Sequence, residues 1–94
     1  MDTTPNFKTY YLEIPEILVA HYPDLNFQNH CYLRIALDNV IGRKWDTQVA
    51  KPAYKHLTAS QRKLVISYLS SYVKDRDLLL SHNMISLAYR GKLV

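Results

Sequence analysis

Residues 30–42, HCYLRIALDNVIG, read as a helix that is apolar on nearly every side and ends at a glycine. At 100° per residue, Leu33, Ala36, Leu37, Val40 and Ile41 share one side, while Phe27, Cys31 and Ile35 share a second. Gln28, Tyr32 and Asn39 face away from both. A helix apolar on two sides belongs at the centre of its bundle, because each side must find a neighbour. His30, Arg34 and Asp38 run between the two sides, each one turn after the last. The expected helix spans roughly residues 26–41, with Asp24 or Asn26 as its cap.

The flanking sequence supplies helices to pack on it. Pro15 suits the first position of a short helix, where its missing N–H costs nothing, and Pro23 closes that helix. Ile17, Leu18 and Tyr22 are its expected core residues, and residues 1–8 are expected to fray. After Gly42, Trp45 is expected in the core and Asp46 to cap a short helix. Pro52 disfavours helix at Lys51, with another turn following through AYKHL. TASQ at 58–61 matches a capping box and opens a helix to about Lys74. Leu64, Val65, Tyr68, Leu69, Tyr72 and Val73 share one face of it. Asp75 or Asp77 starts a last helix running to Arg90, with Leu78, Ser81, Met84, Ile85 and Ala88 inward and Leu80 and Leu87 flanking. Gly42 and Gly91, the two glycines, each follow a helical pattern, where a left-handed cap is wanted. Alternating β-branched runs are few. The expected fold is all-α: one domain over residues 1–94, four to five helices around residues 26–41.

Composition narrows the function classes. Hydrophobic residues make up 48% of the chain, too many for a disordered segment. No run reaches the roughly 18 consecutive apolar residues of a membrane span. The N-terminal MDTTPNFKTYY has neither the basic start nor the apolar stretch of a signal peptide. Cys31 is the one cysteine, which excludes an internal disulfide and fits a cytoplasmic setting. With two glycines there is no phosphate-cradling loop, which removes most nucleotide-dependent enzymes. The serines lack a nucleophile-elbow context, and Cys31 lies on an apolar side. His21, His56 and His82 form no close ligand pair, so neither metal nor cofactor is expected.

Charge is unevenly spread. Residues 1–28 hold Lys8 against Asp2, Glu13, Glu16 and Asp24, a net −3, whereas residues 29–94 hold eleven Lys and Arg against four Asp, a net +7. Arg43, Lys44, Lys51, Lys55, Arg62 and Lys63, interleaved with Trp45 and Tyr54, are the candidate contacts to an anion or nucleic acid. The same residues also read as a solvated face. His30, Arg34 and Asp38 are the second candidate site. Either Arg34 and Asp38 form a buried structural pair, or Asp38 orients Arg34 toward a carboxylate or phosphate.

The run NHCYLRIALDNVIGRKWD, continued by PAYKHLT and ending in SLAYRGKL, resembles a family of short bacterial proteins of about this length. Some of these carry the label GCN5-related acetyltransferase. That label implies a mixed α/β fold with a glycine-rich loop for acetyl-CoA, and no stretch of this chain matches the loop. The resemblance implies a small bacterial cytosolic domain. The expected function is a non-enzymatic binding module whose basic face meets an acidic protein or nucleic acid. Alternatives are a small acyltransferase-like enzyme, or a protein that self-associates through Tyr10, Tyr11 and Tyr22.

Overall fold

Why these residues fold as they do is clearest at the helix ends of the computed structural model, which describes residues 6–92. Four α-helices follow one another: α1 (Phe7–His21), α2 (Asn29–Ile41), α3 (Ala59–Lys74) and α4 (Arg76–Tyr89). Single 3-10 turns at Pro23–Leu25, Trp45–Thr47 and Ala53–Lys55 lie in the connections. The side chain of Asn6 accepts the Thr9 N–H and caps α1. Thr58 and Gln61 exchange both bonds of the capping box at α3. Asp75 accepts the Leu78 N–H and also ends α3, so one residue links α3 to α4. Gly42 closes α2 at φ 82°, a region costly for any residue with a Cβ.

The all-α reading is correct: no strand occurs among the described residues, unlike the mixed α/β fold that an acetyltransferase label implies. Helix α2 packs against each of the other three helices, as a helix apolar on two sides must. Its Tyr32, Ile35, Ala36, Leu37 and Asp38 are buried. Leu18 from α1, Val65, Leu69 and Tyr72 from α3, and Leu79 from α4 complete the centre.

Several expectations are corrected. Helix α1 begins at Phe7, so Phe7 and Lys8 are helical; residues 1–5 of the segment expected to fray lie outside the described residues. Pro15 sits within α1 and is buried. The loss of its N–H is offset there by burial of Tyr11, Ile14 and Leu18 on the same side. Ile17 points to solvent. Helix α2 begins at Asn29 because Asn26 takes a left-handed φ of 56° and closes the preceding turn. Neither Asp24 nor Asn26 caps it. Asp46 lies inside its 3-10 turn rather than at the cap. Trp45 is half-buried against the core.

Tyr32 is wholly buried instead of facing away, its ring edge-on to Phe27. Tyr11 and Tyr22 are also buried, which withdraws them from any contact with a second copy. On α3, Leu64 is exposed. On α4 Leu78 packs on the core as expected, but the rest of the expected inner side is turned out: Leu79 and Ser86 are buried, whereas Ser81, Met84, Ile85 and Ala88 face solvent.

Leu37 tests the packing of α2. With 1% of its surface exposed, Leu37→Ala is expected to cost about 2–5 kcal/mol in chemical denaturation. A cost under about half a kilocalorie, the usual range for a surface change, would place α2 at the periphery.

Candidate functional site

The polar row on α2 splits into three fates. His30 is exposed and belongs to no network. Asp38 is fully buried and accepts four hydrogen bonds. Trp45 N–H donates to Oδ1 at 3.0 Å, Ser86 Oγ to Oδ2 at 2.6 Å, and Arg90 donates Nε to Oδ2 at 2.7 Å and Nη2 to Oδ1 at 2.9 Å. Arg34 makes no direct pair with Asp38. Its guanidinium donates to Ser86 Oγ at 2.8 Å and to Asn83 Oδ1 at 3.0 Å, so Ser86 bridges it to the carboxylate.

The expected Arg34–Asp38 pair is therefore corrected to Arg90–Asp38, with a bidentate geometry suited to guanidinium and carboxylate. The bond to Asp38 raises the pKa of Arg90 further. Arg34 shifts the other way, its pKa lowered chiefly by burial. Asn83, Ser86 and Arg90 carry the sequence signal that was missed: three polar residues on one face of α4, at the spacing that turns together to α2. With its donors committed to Asn83 and Ser86, Arg34 ties two helices together.

Lys55 and Arg62 meet Lys8 where the start of α1, the Ala53–Lys55 turn and the first turn of α3 come together. A concavity of about 380 Å³ is lined by Asn6, Phe7, Lys8, Tyr54, Lys55 and Arg62. Lys8 Nζ stands 5.1 Å from the Tyr54 ring centre, and the Arg62 guanidinium 5.4 Å from that of Phe7. Arg62 Nη2 donates to the Tyr54 carbonyl at 3.4 Å, while its buried Nε has no acceptor. Tyr11 stands behind this cluster, 5.8 Å from Tyr54, and burial pushes its hydroxyl up to about 12.

A second concavity of about 460 Å³ holds Arg43 and His56 beside Gln48, Thr58 and Gln61. Of the six expected contacts, the structure thus brings Lys55 and Arg62 into one hollow and Arg43 into another. Lys44 and Lys63 are exposed and line neither. Lys51 lies 4.0 Å from Asp46, at the limit of an ion pair. Lys8, which sequence reasoning placed in a frayed tail, joins the first hollow. The Asn6 cap was the available signal for it.

Between α3 and α4, the Tyr72 hydroxyl lies 2.7 Å from His82 Nδ1, and the His82 ring is edge-on to Tyr68. Burial lowers the His82 pKa and raises that of Tyr72. A neutral His82 ring with its proton on Nε2 accepts from Tyr72. Cys31 is half-buried. Among the described residues, no group of three or more His, Cys, Asp or Glu is placed to hold a metal ion. No protein-family model, curated protein or solved structure matches this chain.

Asp38→Ala leaves the buried Ser86 and the part-buried Arg90 without their acceptor and is expected to cost about 3 kcal/mol, the low end for a broken buried pair, because Arg90 can regain some water. Replacing Asp38 and Arg90 together by Leu and Met is expected to recover much of that loss, because no unpaired charge remains. Equal costs for the single and double variants would refute the coupling. His82 gives a pH test. Its folded-state pKa lies below the ordinary 6.5, so the unfolded chain binds the extra proton. Stability is therefore expected to fall as pH drops below 6.5 toward the folded-state value. His82→Gln, which keeps an acceptor for Tyr72, should flatten that slope. An unchanged slope would assign the dependence elsewhere. Asp24 does not act in this window, since the hydrogen bond from Arg76 holds its carboxyl below the usual 3.8.

Proposed function

We propose that this protein is a small cytoplasmic nucleic-acid-binding module, contacting the phosphate backbone with the basic end of its bundle. One observation carries the reading: the hollow at Lys8, Lys55 and Arg62 brings three cations and two aromatic rings together with no carboxylate in its lining. Cations at this spacing neutralise phosphates, and Phe7 and Tyr54 offer ring surface to bases. Among the described residues, Arg43, Lys44, Lys55, Arg62 and Lys63 have no carboxylate within ion-pair distance. Their charge is thus available to an outside anion. Arg43 places a further cation in the second hollow.

The mechanism is binding by counterion release, without a covalent step. Lys8 and Arg62 stand over rings in the free protein, and a phosphate drawing either cation away would uncover a ring face. An acidic protein would meet the same cations but gain nothing from base stacking, which favours the polynucleotide.

Fluorescence anisotropy with a labelled single-stranded oligonucleotide tests this. Three phosphate contacts predict that log affinity falls against log salt with a slope of about −2. Changing Lys8, Lys55 and Arg62 together to Gln is expected to lower affinity and flatten the slope. Unchanged affinity in that variant, or equal binding of polyglutamate, would overturn the nucleic-acid reading.

A further inference from the structure

Helix α4 is buried on a side that mixes Leu79 with polar residues, and it leaves large apolar residues outside. Its buried side carries Asn83, Ser86 and, just past its end, Arg90, all bonded to α2 directly or through Ser86. The opposite side presents Ser81, Met84, Ile85 and Ala88 to solvent, with Met84 53% and Ile85 39% exposed. From Leu78 to Tyr89 there is no Asp, Glu, Lys or Arg. On a surface helix this outermost stripe is ordinarily the most polar, so an uncharged and apolar one marks a contact surface. Charge returns at its two ends. Asp77 starts the stripe and Lys92 lies beyond its finish, and both are exposed.

We propose that two copies of this chain pair through α4, helix against antiparallel helix about a two-fold axis. With the axis beside Met84 and Ile85, the stripe becomes complementary to itself. Asp77 meets the second copy's Lys92, Ser81 meets Ala88, and Met84 packs beside Ile85. Each contact occurs twice, as a two-fold interface requires. The small Ser81 and Ala88 let the helices approach, and the opposite end charges select the antiparallel direction, since a parallel pair would set Asp77 against Asp77. End-charge complementarity within one sequence is what specifies a second copy as the occupant. Fourteen residues of helix give a seam about 21 Å long. A seam of that length and one helix wide buries less than the roughly 800 Å² per partner of a standard interface, so a dissociation constant of about 1–100 μM is expected. The pairing is independent of the basic hollow and of what that hollow binds.

Sedimentation velocity on the whole chain, from about 1 μM to 1 mM, is the test, a range that brackets the expected constant. The wild type is expected to shift from monomer to dimer across it. Met84→Glu buries two carboxylates in the seam and should weaken pairing at least about a hundredfold. Because Met84 is exposed in the single chain, the helical circular dichroism signal and Tm should hold. Asp77→Lys alone should weaken the dimer about tenfold, and adding Lys92→Asp should restore it. A wild type that stays monomeric to the top of the range overturns the proposal. So does a dimer indifferent to Met84→Glu, or a charge swap that fails to restore pairing.

Discussion

The carboxylate of Asp38 is the constraint around which the bundle is arranged. It is wholly buried, and its two oxygens accept from a main-chain N–H, a hydroxyl and two guanidinium nitrogens. Removing such a group from water is costly unless its lone pairs are met, so donors must converge from separate segments. Trp45 brings the loop after α2, while Ser86 and Arg90 bring the last turns of α4. Arg34 is held through the same serine. One side chain thereby fixes how α4 is rotated and where the loop following Gly42 turns.

That rotation has a consequence on the far side of the helix. With Asn83, Ser86 and Arg90 turned toward α2 beside the buried Leu79, Met84 and Ile85 are left facing outward. Helix α3 follows the ordinary arrangement, with Val65, Leu69 and Tyr72 buried and Lys63, Ser67 and Ser70 in solvent. The two helices are joined by Asp75 alone, which caps one and ends the other. Their contrast therefore arises from what each meets across the interface. Helix α3 also packs on the apolar α1, whereas the largest contact of α4 is with the Asp38 side of α2. Asn39 adds to that bias by donating to the His82 carbonyl at 2.9 Å.

Much of this was legible in the sequence, and the failures share a cause. The centrality of α2, the Thr58–Gln61 box, the end of α3 and the left-handed Gly42 follow from local chemistry, and the structure contains them. The face of α4 did not follow, because apolar periodicity assumes that the apolar side is the buried one. Asp38 breaks that assumption from another helix, beyond the reach of any local window. Tyr32 was assigned outward by the same logic, although a third side of α2 also had to be covered. Local chemistry places Pro15 at a helix start, because an interior proline removes a hydrogen bond. The Asn6 cap and the burial of Tyr11, Ile14 and Leu18 carry the helix through it. Of the candidate sites, the basic residues were identifiable by type, but their division between two hollows is tertiary. So is the recruitment of Lys8.

The charge imbalance between the two parts of the sequence takes a different form in three dimensions. Lys8, the one cation of the acidic first part, lies at the N-terminal end of α1, in the hollow with Lys55 and Arg62. Glu13 and Glu16 follow one and two turns later, and Glu16 borders a separate depression with Val19, Gln28 and Asn29. Helix α1 therefore runs from a basic neighbourhood to an acidic one, at separations comparable to the screening length of about 8 Å in physiological salt. At the Lys8 end three cations share one hollow, and neither glutamate lines it. At the other end Asp24 is occupied by Arg76, whose Nη2 lies 2.6 Å from its carboxylate. Of the described carboxylates of the first part, Glu13 and Glu16 thus remain on the outer face of α1. Lys8, Lys55 and Arg62 gather where Tyr54 and Phe7 stand, in a hollow whose lining holds no carboxylate.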